Sequence, residues 1–152
     1  MRQWFTTPGT VTSVPLSSTL EITTVSSLFP VGNKAFIDSA FLTVVPSDGS
    51  AKLHIAAAAL FLHIYDAGGN TILEQPMPIA GNWSQAPLPG ATGVGIRLPA
   101  FAGLSFYLSD IPATAGYPAT FALHAFVSLA NTDGAAAHSA QVNIGGLAEY
   151  GV

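Results

Sequence analysis

An antiparallel β-sandwich of jelly-roll type is the fold this sequence predicts, with a closed barrel as the competing arrangement. Three observations carry the prediction. First, Asp66-Ala67-Gly68-Gly69-Asn70 lies between apolar runs, with Phe61, Leu62, Ile64 and Tyr65 before it and Ile72 and Leu73 after it. Gly and Asn tolerate the positive φ that a tight reversal between strands needs. Second, Ala119–Ala130 alternates Phe121, Leu123, Ala125, Val127 and Leu129 against Thr120, Ala122, His124, Phe126 and Ser128, which is the period of a half-buried strand. Third, turn clusters recur at short intervals and no segment makes a convincing amphipathic helix, a combination typical of sandwiches and barrels.

Met1–Thr10 is expected to be an N-terminal arm, and residues 11–152 a single sandwich domain. Trp4 and Phe5 precede a Pro-Gly break and must dock on this domain or on a neighbouring subunit, because two exposed aromatic residues on an arm are unfavourable. Val11–Val14 and Thr19–Val25 are rich in Ser, Thr and Val and suit strands, with Leu20 and Ile22 sharing a face. Phe29-Pro30-Val31-Gly32-Asn33 is predicted as a turn or loop. In Phe36–Val45, the residues Ala40, Leu42 and Val44 fall on one face, and Pro46-Ser47-Asp48-Gly49-Ser50 ends the strand.

Ala51–His63 is open to two readings. Leu53, Ala57, Leu60 and Ile64 are spaced as a helix face and Ala56–Ala59 are strong helix formers, but such a helix would be apolar nearly all round. A strand buried on both faces fits the same residues, and the downstream turn favours it.

Pro76–Gly93 holds Pro76, Pro78, Pro87 and Pro89, so no central strand is expected to run through it. A loop of this length is a candidate contact surface. Beyond it, Val94, Ile96 and Leu98 oppose Arg97, and Leu104, Phe106 and Leu108 alternate with Ser105, Tyr107 and Ser109. Asp110–Pro118 is predicted as a loop, Asn131-Thr132-Asp133-Gly134 as a turn, and Ser139–Tyr150 as a last, glycine-interrupted strand. The total is about nine short strands.

Composition narrows the function classes. Of 152 residues, 8% are charged and 49% apolar, against about 25% charged in an average soluble domain. A chain with so few charges suits a repeating assembly, where neighbours cover much of the surface. The expected assembly is a homo-oligomer, a trimer first, held by apolar or small uncharged contacts. Arg2, Lys34, Lys52 and Arg97 are scattered and form no basic stripe, which argues against direct binding of nucleic acid. The N-terminal stretch lacks the apolar core of a signal peptide, and the longest apolar run, Ile55–Leu62, is too short to span a bilayer. No membrane partner and no export by a cleaved leader are therefore expected. There is no cysteine, hence no disulfide framework and no thiolate metal site.

No constellation with catalytic spacing stands out. His54 and His63, nine positions apart, fall on opposite faces of a regular strand or helix, and neither His124 nor His138 has a close ligand partner. Asp48, Asp66 and Asp133 stand at turns, next to glycine or within two residues of one, where Asp bonds its own backbone. There is no Gly-x-Ser-x-Gly elbow, and Gly90–Gly95 lacks the helix and the Lys of a phosphate loop. The reading is a non-enzyme without catalytic residues, metal or cofactor. Candidate contact residues are Trp4, Phe5, Trp83, Tyr107 and Phe126, the last turned away from Phe121, Leu123 and Val127 by alternation. A second reading, a carbohydrate- or cell-surface-binding module, would use Trp83, Tyr107 and Tyr117 as flat stacking faces.

Three segments carry a resemblance: Phe36-Ile37-Asp38-Ser39-Ala40, Leu62–Leu73 with its Asp-Ala-Gly-Gly-Asn turn, and Gly95-Ile96-Arg97-Leu98-Pro99. In strand-and-turn texture, over roughly Ala35–Leu129, the chain resembles β-sandwich proteins of tailed-phage and other virion shells. Adhesin and carbohydrate-binding sandwiches share much of that texture. The resemblance implies a capsid decoration, minor coat or spike component, arranged in rings or trimers, in contact with other shell proteins and located in a virion assembled in the host cytoplasm. It transfers no functional residue.

Overall fold

A computed structural model describes residues 1–49, 51–80, 83, 86–90, 93–100, 104–107, 109 and 119–151. Two antiparallel sheets face each other. In the first, β1 (Arg2–Thr7), β11 (His138–Glu149), β5 (Lys34–Pro46) and β8 (Ile96–Pro99) lie side by side in that order. The short β2 (Thr12–Val14) follows β1 along β11, and β9 (Leu104–Tyr107) shares β5 with β8. In the second, the order is β3 (Ser18–Val25), β10 (Thr120–Asn131), β6 (Leu53–Tyr65) and β7 (Thr71–Met77), with β4 (Phe29–Pro30) continuing the β3 side along β10. From β2 onward the chain passes repeatedly between the sheets, and among the described residues only the β6–β7 hairpin joins adjacent long strands of one sheet. This is the jelly-roll sandwich that the alternation predicts.

The core is where the two inner faces meet. Ile37, Ala40, Leu42, Val44, Val142 and Ile144 of the first sheet pack on Ile22, Leu60, Leu62, Phe121, Leu123 and Val127 of the second. Each fully buried aliphatic or aromatic side chain stabilises the fold by about 1.5–3 kcal/mol relative to exposure. At one end Phe29 sits within 5.1–5.3 Å of the rings of Phe5, Phe121 and Tyr150, closing the sandwich with aromatic contacts. The Asp66–Asn70 reversal forms as its chemistry predicts: Asp66 Oδ1 accepts from the backbone of Gly68 and of Asn70, each at 2.9 Å, and Gly69 takes φ +83°.

Several expectations change. The segment predicted as an arm is edge strand β1, with Trp4 opposite Leu147 and Phe5 opposite Gly146. Pairing satisfies its backbone, and alternation sends Phe5 inward and Trp4 outward. Phe29-Pro30, read as a turn, is strand β4, and its Phe29 is buried. The strand reading of Ala51–His63 holds: Leu53–Tyr65 is β6, which pairs with β10 along its length and with β7 over Leu60–Tyr65. Within the Pro-rich segment Leu88 is buried and its N donates to Leu53 O of β6 at 2.9 Å. Pro76 lies in edge strand β7, where a missing donor is tolerated.

Two irregularities reset the side-chain faces. In β5, Ser39 adopts φ +55°, and the inward set changes from Ala35 and Ile37 to Ala40, Leu42 and Val44. In β6, Leu129 pairs with Ile55 and Ser128 with Ala57, so Ala56 is an extra residue and the inward set changes from Leu53 and Ile55 to Leu60, Leu62 and Ile64. A bulge inserts one residue and inverts every face beyond it. His54 and His63 therefore share the outer face of the second sheet, which corrects the expectation that nine positions separate them to opposite faces. Among the described residues no helix is long and apolar enough to cross a membrane.

Candidate functional site

The outer face of the second sheet is the surface on which side chains with binding capacity converge. Register sets its rows. Tyr65 stands opposite Thr120, His63 opposite Ala122, Phe61 opposite His124, Ala59 opposite Phe126, and Ala57 opposite Ser128. On the β3 side Val25 flanks His124, Thr23 flanks Phe126 and Glu21 flanks Ser128. On the β7 side Glu74 flanks His63 and Pro76 flanks Phe61. The centre is aromatic and uncharged, with the two carboxylates at its margins.

Within this face the rings interlock. Phe61 and Phe126 meet edge to face, with centroids 5.7 Å apart at 77°. The imidazoles of His63 and His124 stack at 3.9 Å and 13°, as diagonal neighbours on adjacent strands can. Burial, and then the neighbouring His63, hold His124 below the usual histidine range, against a smaller opposing pull from Glu74. Burial also raises the pKa of Tyr65, whose hydroxyl lies within hydrogen-bond distance of His124 Nε2. His63 Nε2 lies 3.1 Å from Glu74 Oε2 but is out of line for a hydrogen bond. An imidazole stack beside two phenyl rings favours burial against another apolar surface.

A second titratable cluster joins loops at the edge of the sandwich. His138 Nδ1 lies 2.8 Å from Asp48 Oδ2, and its Nε2 lies 2.8 Å from Asp133 Oδ2. The two carboxylates raise the pKa of His138, and His138 with the Ala135 amide lowers that of Asp133. Carboxylates on both nitrogens leave this imidazole no free nitrogen for proton transfer to a substrate. Among the described residues no group of three or more His, Asp or Glu converges to hold a metal.

The contact residues expected from sequence are dispersed. Trp4, 66% exposed, stands on the outer side of edge strand β1, whereas Phe5 is half-buried and packs on Phe29. Trp83 is half-buried against the core. Tyr107, 47% exposed, lies on edge strand β9 with Lys34 Nζ 5.5 Å from its ring centre. Phe126 is on the outer face, as alternation predicts. Tyr117 and Leu108 lie outside the described residues. Sequence reasoning did not single out Phe61, His63, Tyr65 and His124. Their signal was the i, i+2, i+4 spacing of Phe61, His63 and Tyr65 together with that of His124 and Phe126; the register joining the two strands was not available.

No protein-family model matches the chain, and no curated protein sequence matches it. Among solved structures, the chain is similar to infectious bursal disease virus Gx strain, with a TM-score of 0.53 and 11% identity over 99% of this chain and 32% of that one. A crystal structure of the same virus's VP2 subviral particle gives 0.51 and 16%, over 99% and 33% respectively. The Gt strain gives 0.52 and 16%, over 97% and 32%. The chain thus spans about a third of the length of these virus proteins. At such identities the likeness is one of fold: the β-sandwich of this chain is the kind found in viral capsid proteins.

Proposed function

We propose that this protein is a non-enzymatic structural component of a virion shell, a capsid decoration, minor coat or spike protein, that works through contacts between subunits. The carrying observation is the outer face of the second sheet, an aromatic and alanine-rich surface without Lys or Arg on its strands, on a jelly roll whose fold is shared with virus shell proteins. The assembly is a homo-oligomer, a trimer before any other, in contact with other shell proteins and located in the virion assembled in the host cytoplasm. Phe126, Trp4 and Tyr107 are its contact residues, on the outer face and on two sheet edges.

The test combines sedimentation with location. An apolar contact persists at high salt, since screening weakens charge pairs but not hydrophobic burial, so the same oligomer is expected at about 0.1 M and about 1 M sodium chloride. Antibody labelling should also find the protein in purified particles. A monomer absent from particles overturns the reading, and dissociation at the higher salt shows an ionic interface.

A further inference from the structure

We infer that the outer face of the second sheet is covered by a second copy of this chain, and that the His63–His124 stack releases that copy on acidification. The inference deepens the shell reading and rests on it.

Size is the first argument. Four strands of 8, 12, 13 and 7 residues, spaced ~4.8 Å apart and rising ~3.3 Å per residue, present a face of roughly 630 Å². A standard protein–protein interface takes about 800 Å² from each partner. The anatomy also fits: Phe61, Phe126, Tyr65 and the imidazoles form the centre, and Thr19, Glu21, Thr23 and Glu74 form the rim. Charge selects the partner. The strands of the second sheet carry Glu21 and Glu74 and no Lys or Arg, whereas those of the first sheet carry Arg2, Lys34 and Arg97 beside Asp38 and Glu149, a small excess of positive charge. Two second sheets facing each other would bring carboxylates together. The second sheet of one copy against the first-sheet side of the next sets the acidic sheet against the one with an excess of basic residues, a head-to-tail contact that makes a ring where its rotation closes.

The groups around the imidazole stack are few. From β6 they are His63 and Tyr65, from β7 Glu74, and from β10 His124; β3 contributes Val25 and Thr23 beside the stack and Glu21 toward the rim. A partner that buries this centre removes water from both rings and favours their neutral forms. As pH falls, a proton on His124 places a cation beside His63 and under the partner, so the contact weakens.

The experiment is sedimentation of the full chain at about pH 7.5 and about pH 5, for wild type, the His63→Gln/His124→Gln double variant, Phe126→Glu, and Ala57→Arg at an exposed position of the same face. Expected are an oligomer at the higher pH, at least a tenfold weaker association at the lower one, loss of that pH response in the double variant, and monomers for both charge insertions. Circular dichroism checks folding, and Ala57→Arg decides if Phe126→Glu does not fold. An oligomer that survives Ala57→Arg overturns the inference and leaves the shell reading standing. A pH response unchanged in the double variant overturns the role of the histidines. A wild type that is monomeric at both pH values overturns the subunit-contact reading itself.

Discussion

His138 Nε2 and Asp133 Oδ2 lie 2.8 Å apart, and this pair, with Asp48 on the other ring nitrogen, ties the start of β11 to the β10–β11 turn and to the loop after β5. The imidazolium form donates to both carboxylates. Because folding raises the pKa of His138 above 6.5, the clamp contributes its full stability below that value and loses it as pH rises through the folded-state pKa. Asp133, lowered from 3.8, adds stability above that value that is lost as pH falls through its folded pKa. The difference in thermal midpoint between wild type and His138→Gln should therefore be largest near about pH 5.5 and shrink above neutrality. A difference that grows with pH would show that the imidazole is held neutral.

Gly9 is locked by backbone. A Cβ there would stand 2.2 Å from the carbonyl oxygen of Val142 and 2.6 Å from Thr24 Oγ1, while Gly9 N donates to Asn143 Oδ1 and Gly9 O accepts from Gln141 Nε2. At Gly145 the clash is with the ring of Phe41, the movable end of a side chain that carries Arg97 3.8 Å above it. Gly9→Ala should cost about 1–3 kcal/mol or more, and Gly145→Ala less. Urea titration of both variants checks the order, which reverses if the Phe41–Arg97 stack is the harder element to move.

Asn131 is a buried amide that fastens three segments. Its Nδ2 lies 3.0–3.2 Å from the carbonyl oxygens of Val14, Pro15 and Ala136, and its Oδ1 accepts from Asp133 N at 2.9 Å. Asn131→Leu leaves these backbone groups unpaired and should destabilise by about 1–3 kcal/mol. Equilibrium unfolding in urea reads the shift in midpoint at unchanged slope, and a neutral result would mean that water replaces the amide.

Phe29 holds β1 to the sandwich through Phe5 and holds β4 to β10 through Phe121. Phe29→Ala should cost about 3–5 kcal/mol, with the largest local effect at the N-terminal edge. Hydrogen exchange should accelerate first at the amides of Arg2–Thr7. Uniform acceleration across both sheets would show that the aromatic end is no separate clasp.

The sequence alone determined the all-β class, the Asp66–Asn70 reversal, the inward set Phe121, Leu123, Ala125, Val127 and Leu129, and the outward turn of Phe126. These follow from local steric preference and from a side-chain period of two, both carried by residues close in sequence. Tertiary structure decided the rest. The bulge at Ala56 turned His54 to the face of His63, Ser39 reset β5, and the β6–β10 register set His63 on His124 and Phe61 on Phe126. Pairing with β11 turned the expected arm into an edge strand, with Phe5 inside and Trp4 outside. Ala56–Ala59 satisfy a helix pattern as well as a strand pattern, and pairing with β10, distant in the chain, chooses between them. Register and bulges depend on which strands meet, and that is fixed by burying the whole core at once rather than by any one segment's own preference.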